Sequence, residues 1–509
     1  MFNILHKLEK KSVAQLQFWI VLLSVLIATQ VQYIQHGWIN PDSVLYLEAA
    51  KFFSNGNWQA GFEVFPWPFY ALCIALVNTI TQLGVHFSAQ LLNVLFFAIA
   101  TYSYIQIIQL AGGKQKQMIA GALIWLSAQY MIGGVLEMLM RDEGFWAFFL
   151  LSIVFFIRFY QQHRLKDALL WQACIIVATL FRIEAILYLL FLPFILLFQI
   201  GLSTKQKWKH LLATHAINII LALAIILLFT FNDQLSTKIL GRLNEVFTTN
   251  LWQQFTQHLN KKSSIMSKEV LGEYLDEFAV QGLLMTFIYV IFVKTISATG
   301  LVNVILSVFA IKKNKQLIEP AAFNVLRATA LIALVNMALI ITKVFVLSGR
   351  YVLALSFILM VFSAFYFAEL LFTKNPNKKL KLLTIALVVL MLGGAIKNIL
   401  PKGERYNYLL DSVEWVNKNK SANDLVYYDD PRMVYYANSD FTGKWSDNWL
   451  KVNSDIQNKS IFKYDYILVT SSEKNPEKIL PIFENFKEIK RFYDRKKKKS
   501  VVIYKKSTI

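Results

Sequence analysis

Hydrophobicity in this chain comes in long blocks, and the blocks decide what it can fold into. Runs such as 17–29, 146–157, 168–181 and 185–198 hold almost no charge. An amphipathic helix of a soluble domain would show a charged face within each such stretch. A bilayer core needs about 20 mainly apolar residues per helix. Only 17% of the residues are charged, against roughly a quarter in soluble domains, so the chain lacks the means to cover a soluble surface. The reading is a polytopic integral membrane protein. The net charge of +20 does not point to nucleic acid, because the basic residues sit in short clusters between apolar runs, as cytoplasmic loops do under the positive-inside rule. Cys73 and Cys174 both lie in apolar segments and imply no disulfide framework. The first apolar run follows Lys7, Lys10 and Lys11 without a small-residue cleavage site, so it is expected to be a retained helix.

Candidate spans lie near 16–35, 67–84, 87–111, 117–136, 143–160, 168–182, 184–200, 211–231, 281–311, 325–346, 351–372 and 382–398. The basic loops decide which of them cross. The clusters are the N-terminus, Lys114 with Lys116, Arg158 with Arg164 and Lys166, Lys205 to Lys209, Lys312 to Lys315, and Lys374 to Lys381. If every candidate crosses, the N-terminal cluster is separated from all the others. If 67–84 does not, all the clusters share one side, which the positive-inside rule favours. Pro66 and Pro68 agree, since proline breaks a helix at that point. The expectation is therefore about eleven crossings, an inner N-terminus and a first outer loop of about 36–86 containing a membrane-hugging helix. The span 281–311 exceeds one crossing at about 1.5 Å per residue. Counting back from Lys312 puts Lys294 near the outer boundary and 281–293 on the outer rim.

Two other outer segments follow. Residues 232–279 are polar with apolar residues at helical spacing, and read as amphipathic helices on the outer surface or as a connector. From about residue 400 the composition becomes that of a soluble domain. Helix-like 406–417 and PEKILPIFENF alternate with β-branched runs at 424–428, 464–470, 488–493 and 501–505, which predicts a small α/β domain. The division is thus a transmembrane domain over 1–399 and an extracytoplasmic α/β domain over 400–509. The Lys496–Lys499 run is a solvated turn or a contact for anionic lipid or lipopolysaccharide. There is no 20- to 50-residue repeat, phosphate-cradling glycine loop, HExxH helix or zinc-type spacing.

The outer ends of the spans hold the residues capable of chemistry. Asp42 stands before the helix-prone run Ser43-Val44-Leu45-Tyr46-Leu47-Glu48. It suits a helix N-cap, and equally a general base taking the proton of an acceptor hydroxyl as that oxygen attacks a sugar carbon. Single displacement of this kind inverts the anomeric centre, and a phosphate leaving group needs no protonating acid. Arg141-Asp142-Glu143, in the second outer loop of about 137–143, caps a span or supplies a second carboxylate to the cavity, for a divalent ion or an acceptor group. Arg182, Lys294, Lys343 and Arg350 all lie at outer span ends. Each alone would snorkel, but four at one level suit a phosphate, which arginine binds through its planar fork. Lys343 and Arg350, seven apart, share a face if helix continues between them.

These segments in this order resemble a known group. PDSVLYLEAAKFFSNG, FPWPFYALCIAL, RDEGFWAFFLLSIVFF, FRIEAILYLLFLPFILL and SGRYVLALSF are similar to the GT-C superfamily of polyprenyl-phosphate-dependent glycosyltransferases, which includes protein O-mannosyltransferases and the lipid A aminoarabinose transferase. The match covers roughly residues 16–372. The resemblance implies a helical membrane bundle with Asp42 as catalytic base, and Asp142 at a second acidic position near the site or on a metal (Mg2+ or Mn2+). It also implies Arg350 at the donor phosphate and Glu63 at the cavity rim. The first loop carries a lone acid at 42 rather than a pair, and the segment before Arg350 lacks a histidine found in many relatives.

The combined reading is an inverting glycosyltransferase taking a polyprenyl-phosphate sugar to lipid A or lipopolysaccharide, another glycan or a protein. Asp42 is the base, Asp142 and Glu143 shape the site, and Arg350 with Lys343 or Lys294 holds the phosphate, while Arg182, Arg141, Glu63 and Tyr46 line the cavity. The partners are the lipid-linked donor, the acceptor and membrane lipids, without nucleic acid. The expected location is a bacterial inner membrane, with the N-terminus cytoplasmic and the C-terminal domain periplasmic. The rivals are a lipid or polysaccharide flippase, which usually carries ionisable residues near the midplane, and a non-catalytic assembly protein.

Overall fold

The computed structural model describes residues 7–34, 39–231, 251–401, 407–439, 448–472 and 486–507. The chain divides into two compact units. One holds Met1–Val31, Leu91–Glu137 and Arg141–Ile399; the other holds Gln32–Gln90, Met138–Met140 and Leu400–Ile509.

The first unit is a helical bundle. Among the described residues eight helices are long and apolar enough to span a bilayer: Val13–Ile34, Val85–Leu110, Gln115–Val135, Asp142–Gln162, Asp276–Thr299, Pro320–Val344, Gly349–Leu371 and Lys378–Ile399. The protein is an integral membrane protein. Gly349–Leu371 is its most enclosed helix, packed against Gln115–Leu126, Leu301–Lys312, Ala279–Thr299 and Pro320–Val344. Asp142–Gln162 and Leu165–Phe181 form an antiparallel hairpin turned at His163 in the left-handed region (φ 55°). Several polar groups inside the bundle are paired, which matters where water is absent. The Trp125 indole donates to Thr101 Oγ1 at 2.9 Å and stacks on Tyr104, whose hydroxyl donates to the Met360 carbonyl at 3.0 Å. Glu319 caps Pro320–Val344 by accepting from the Ala321 and Ala322 N–H groups at 3.1 and 2.7 Å.

Three sequence expectations are settled or changed here. Phe69–Thr81 is 13 residues long, about 20 Å at 1.5 Å per residue, which is too short for a core of about 30 Å. That agrees with a segment that does not cross. The long apolar stretch 281–311 divides at Gly300, whose φ of +86° ends one helix at Thr299 and starts the next at Leu301. The expected rim at 281–293 is therefore continuous helix, and Lys294 lies inside it with an exposed side chain. Of the expected amphipathic segment, Leu251–Met266 is helical, while 232–250 lies outside the described residues.

The second unit contains the C-terminal sheet. Its strands are β1 (Val426–Tyr428), β2 (Tyr466–Ser472), β3 (Phe486–Tyr493) and β4 (Lys499–Lys506), in the order β1-β2-β4-β3. β1 runs parallel to β2, and the other pairs are antiparallel. Alternation along β2 sends Tyr466 and Leu468 to a core with Leu409, Val413 and Met433, and sends Ile467 and Val469 to a second core with Val452 and Ile461. Both faces are thus covered, which accounts for the nearly continuous apolar run of this strand. Of PEKILPIFENF, the described part is Phe486, which opens β3. The lysine run is a turn with Lys497 at φ 55°, tied by the Lys498 and Lys499 N–H groups donating to Asp494 Oδ1.

The same unit holds the first loop. Pro41–Ser54 packs on Trp58–Val64 and Phe69–Thr81, and against Pro431–Tyr436 of the C-terminal segment. First loop and C-terminal segment therefore pack together within this unit. The arrangement predicts that Gln59→Cys and Lys420→Cys, each made in a chain relieved of Cys73 and Cys174, react with an impermeant maleimide from the same side of intact vesicles. Lys379→Cys should be protected from it. Labelling of the first two from opposite sides would overturn the topology.

Candidate functional site

Asn-Pro-Asp at 40–42 fixes how the first-loop helix begins. Asn40, in extended conformation, is the N-cap, and its Oδ1 accepts from the Asp42 N–H at 2.9 Å. Pro41 occupies the first helical position, where its missing N–H costs nothing. Asp42 is therefore a first-turn residue and not the cap its sequence context also allowed. It is half-buried. Its neighbours are gripped by the second loop: Asn40 Nδ2 donates to Met138 Sδ at 3.3 Å, and Ser43 Oγ to Met140 Sδ at 3.7 Å. Tyr46, one turn on, is buried with its ring edge-on to Phe65 and Tyr70 at 4.9 and 5.4 Å. Glu63 is exposed and accepts from Gln59 Nε2 at 3.0 Å along its short helix.

The bundle assembles a separate set of charges. Asp142 opens Asp142–Gln162 with 1% of its surface exposed. Arg182 ends Leu165–Phe181, and its Nη1 donates to Asp142 Oδ1. The same guanidinium reaches Glu184 through Nε and Nη2, each at 3.4 Å, and lies over the Tyr351 ring at 4.4 Å. Arg350, in the first turn of Gly349–Leu371, brings Nη1 to 3.6 Å from Asp142 Oδ2. Its side chain is 26% exposed against 5% for Arg182. Arg182 is thus committed to carboxylates, and Arg350 is the guanidinium of this pair with the greater access. Gly349 makes the arrangement possible, because a Cβ there would meet the Tyr130 hydroxyl at 2.5 Å.

The other predicted site residues differ in their surroundings. Glu143 is wholly buried, and neither of its carboxylate oxygens has a hydrogen-bond partner among the described residues. Arg141 is within electrostatic range of Glu184. Lys343 is exposed in the last turn of Pro320–Val344, and Phe345 (φ 56°) ends that helix. Lys343 and Arg350 therefore do not share a continuous helical face. Glu184, an acid two residues from Arg182 inside FRIEA, and Tyr351, next to Arg350, also belong to the cluster. Both Asp142 carboxylate oxygens face guanidinium groups, one that of Arg182 and the other that of Arg350, and among the described residues no group of three or more His, Cys, Asp or Glu side chains is placed to hold a metal.

A further buried acid lies in the C-terminal domain. Asp429 Oδ2 accepts from the Thr470 N–H and hydroxyl, both at 2.7 Å, while Oδ1 has no partner among the described residues. Burial pushes its pKa up to about 7 from 3.8, with the charge of Asp430 adding and the Thr470 bonds opposing.

No family model matches the chain, and no curated protein matches it. Solved structures do. ArnT from Cupriavidus metallidurans in the apo state superposes over 97% of this chain and 98% of its own, with TM-score 0.55 at 12% identity. The archaeal oligosaccharyltransferase AglB from Archaeoglobus fulgidus, in complex with an inhibitory peptide and a dolichol-phosphate, covers 97% of this chain and 74% of its own, with TM-score 0.47 at 12% identity. The chain has the fold of ArnT.

Two outcomes follow from the charges. Arg182→Met leaves Asp142 buried without its main partner and should cost about 3–5 kcal/mol, read as a lower melting temperature in detergent. The double variant with Asp142→Leu should recover much of that loss, and a double variant as unstable as the single one would refute the pairing argument. For Asp429 the folded pKa lies above the unfolded one, so its contribution is fully present below about pH 4 and is lost as pH rises through about 7. Asp429→Asn should therefore flatten the fall in thermal stability between those values, and an unchanged slope would exclude Asp429 as its source.

Proposed function

We propose that this chain is an inverting glycosyltransferase that moves a sugar from a polyprenyl-phosphate donor to an acceptor hydroxyl at the outer face of the membrane. The observation that carries this reading is a GT-C fold over nearly the whole chain, together with the first-turn position of Asp42 in the first loop. Asp42 takes the proton of the acceptor hydroxyl, and the acceptor oxygen forms a bond to the anomeric carbon from the face opposite the leaving group. The bond from that carbon to the phosphate oxygen breaks, and its electron pair leaves with the polyprenyl phosphate. Such a leaving group carries its own charge, so cations on the phosphate do the work that a protonating acid does in hydrolases.

Arg350 is assigned to that phosphate, because it is accessible and its planar fork suits two phosphate oxygens. Asp142, held by the Arg182 guanidinium that also binds Glu184, orients it. Lys343 and Lys294 are further cations for the same headgroup, Arg141 and Glu143 stand beside the acidic pair, and Glu63 marks the rim. The lipid tail of the donor enters between helices. The acceptor is lipid A or lipopolysaccharide, another glycan or a protein, and the location is a bacterial inner membrane with the C-terminal domain in the periplasm.

The test is sugar transfer by purified protein over a panel of polyprenyl-phosphate sugars. Asp42→Asn should fall by at least about a hundredfold in kcat, the scale of a lost general base, while melting normally. Arg350→Ala should raise KM for the donor. Full activity in a folded Asp42→Asn protein would remove the base from this scheme, and turnover of no donor alongside lipid flipping in vesicles would replace it with transport.

A further inference from the structure

The C-terminal helix Pro431–Tyr436 touches the first loop where the loop begins and where it ends. At the beginning, the Tyr436 hydroxyl hydrogen-bonds the backbone of Ile39. Ile39 is 1% exposed and immediately precedes the Asn40 cap of the helix that carries Asp42. At the end, Tyr435 Oη lies 2.7 Å from Nδ1 of His86, in the first turn of Val85–Leu110, with the two rings stacked at 6.0 Å. Between these contacts the Tyr435 hydroxyl is within electrostatic range of Glu48, which is buried on Pro41–Ser54. The clasping helix is itself anchored. Asp430 caps it through the Arg432 N–H at 2.9 Å and holds the Arg432 guanidinium at 2.9 and 2.6 Å, and Met433 is buried in the core beneath the sheet.

Joining the ends of a loop this long has a conformational cost, and two adjacent tyrosines on one rigid turn meet it at both ends. We infer that the C-terminal domain is a clasp that holds the first-loop helix in place, with Tyr436 and Tyr435 as positioning residues for Asp42. As far as it concerns catalysis, this rests on the reading of Asp42 as the base. A carboxylate that must meet one acceptor oxygen tolerates little displacement, since a misplacement of about 1 Å can cost about a hundredfold in rate.

The experiment uses the full chain in nanodiscs, with Tyr436→Phe and Tyr435→Phe, which keep the rings and remove single hydroxyls. Hydrogen exchange over residues 39–54 should speed up in Tyr436→Phe, while the bundle helices keep wild-type protection. Unchanged exchange in both variants would overturn the clasp whatever the activity does. In the transfer assay each variant should lose about tenfold or more in kcat, with donor KM within about twofold of wild type. Tyr436→Phe in an Asp42→Asn background should be no slower than Asp42→Asn alone, whereas a general loss of folding would slow both backgrounds alike and overturn the positioning role. If Asp42→Asn proves fully active while exchange over 39–54 still rises in Tyr436→Phe, the clasp stands and the base assignment falls.

Discussion

Everything in this molecule follows from taking the backbone where no water can satisfy it. An unpaired peptide group in hydrocarbon costs several kcal/mol, so the apolar blocks have to be helices, and polar side chains inside the bundle have to find one another. The Trp125–Thr101 and Tyr104–Met360 bonds are small instances of that rule. The larger instance is the Asp142–Arg182–Glu184 cluster, where two buried carboxylates share one guanidinium. The same constraint concentrates the remaining charges at helix ends and loops, which is why the candidate chemistry lies there.

Compensation of this kind is a poor source of stability. Desolvating two charges offsets most of what their attraction returns, and well-packed apolar replacements often do as well. The cluster makes more sense as geometry. Arg182 is locked by two carboxylates and by the Tyr351 ring, and the Asp142 carboxylate it fixes also faces Arg350. The start of Gly349–Leu371 is held in turn by the close approach of Gly349 to Tyr130. Arg350 is thereby presented from a defined helix turn with part of its surface exposed, the arrangement required of a group that binds a headgroup without reorganising.

The sequence made the blocks legible because apolar length is a one-dimensional property. It made Phe69–Thr81 legible as a segment apart from the long spans, because Pro66 and Pro68 carry that information locally. The strands were legible for the same reason, with β2 readable from Tyr464 to Thr470 within two residues of its observed ends. Helix boundaries were harder. Asn40 takes the cap because Pro41 belongs at the first helical position, a local rule that outranks the equal capping preference of Asp42. Gly300, and not a charge near the membrane boundary, divides 281–311, since only its left-handed φ lets the helix stop there. The pairing of Arg182 with Asp142 is forty positions long, and no local pattern announces such a partner.

The contact least visible in sequence concerns the C-terminal domain. Composition alone marks residues beyond 400 as a soluble appendage, and an appendage is naturally given the task of covering an acceptor. Packing adds a further contact: Pro431–Tyr436 lies on the helix that begins at Pro41, and the short-range contacts of Tyr435 and Tyr436 go to residues 349 and about 400 positions away. A first loop lying beside the membrane has few ways to bury both its faces. The soluble domain supplies a covering surface that the bilayer cannot, because a Tyr hydroxyl can meet the Ile39 backbone and a lipid tail cannot. The small domain around the sheet is thus part of what packs against the helix that carries Asp42.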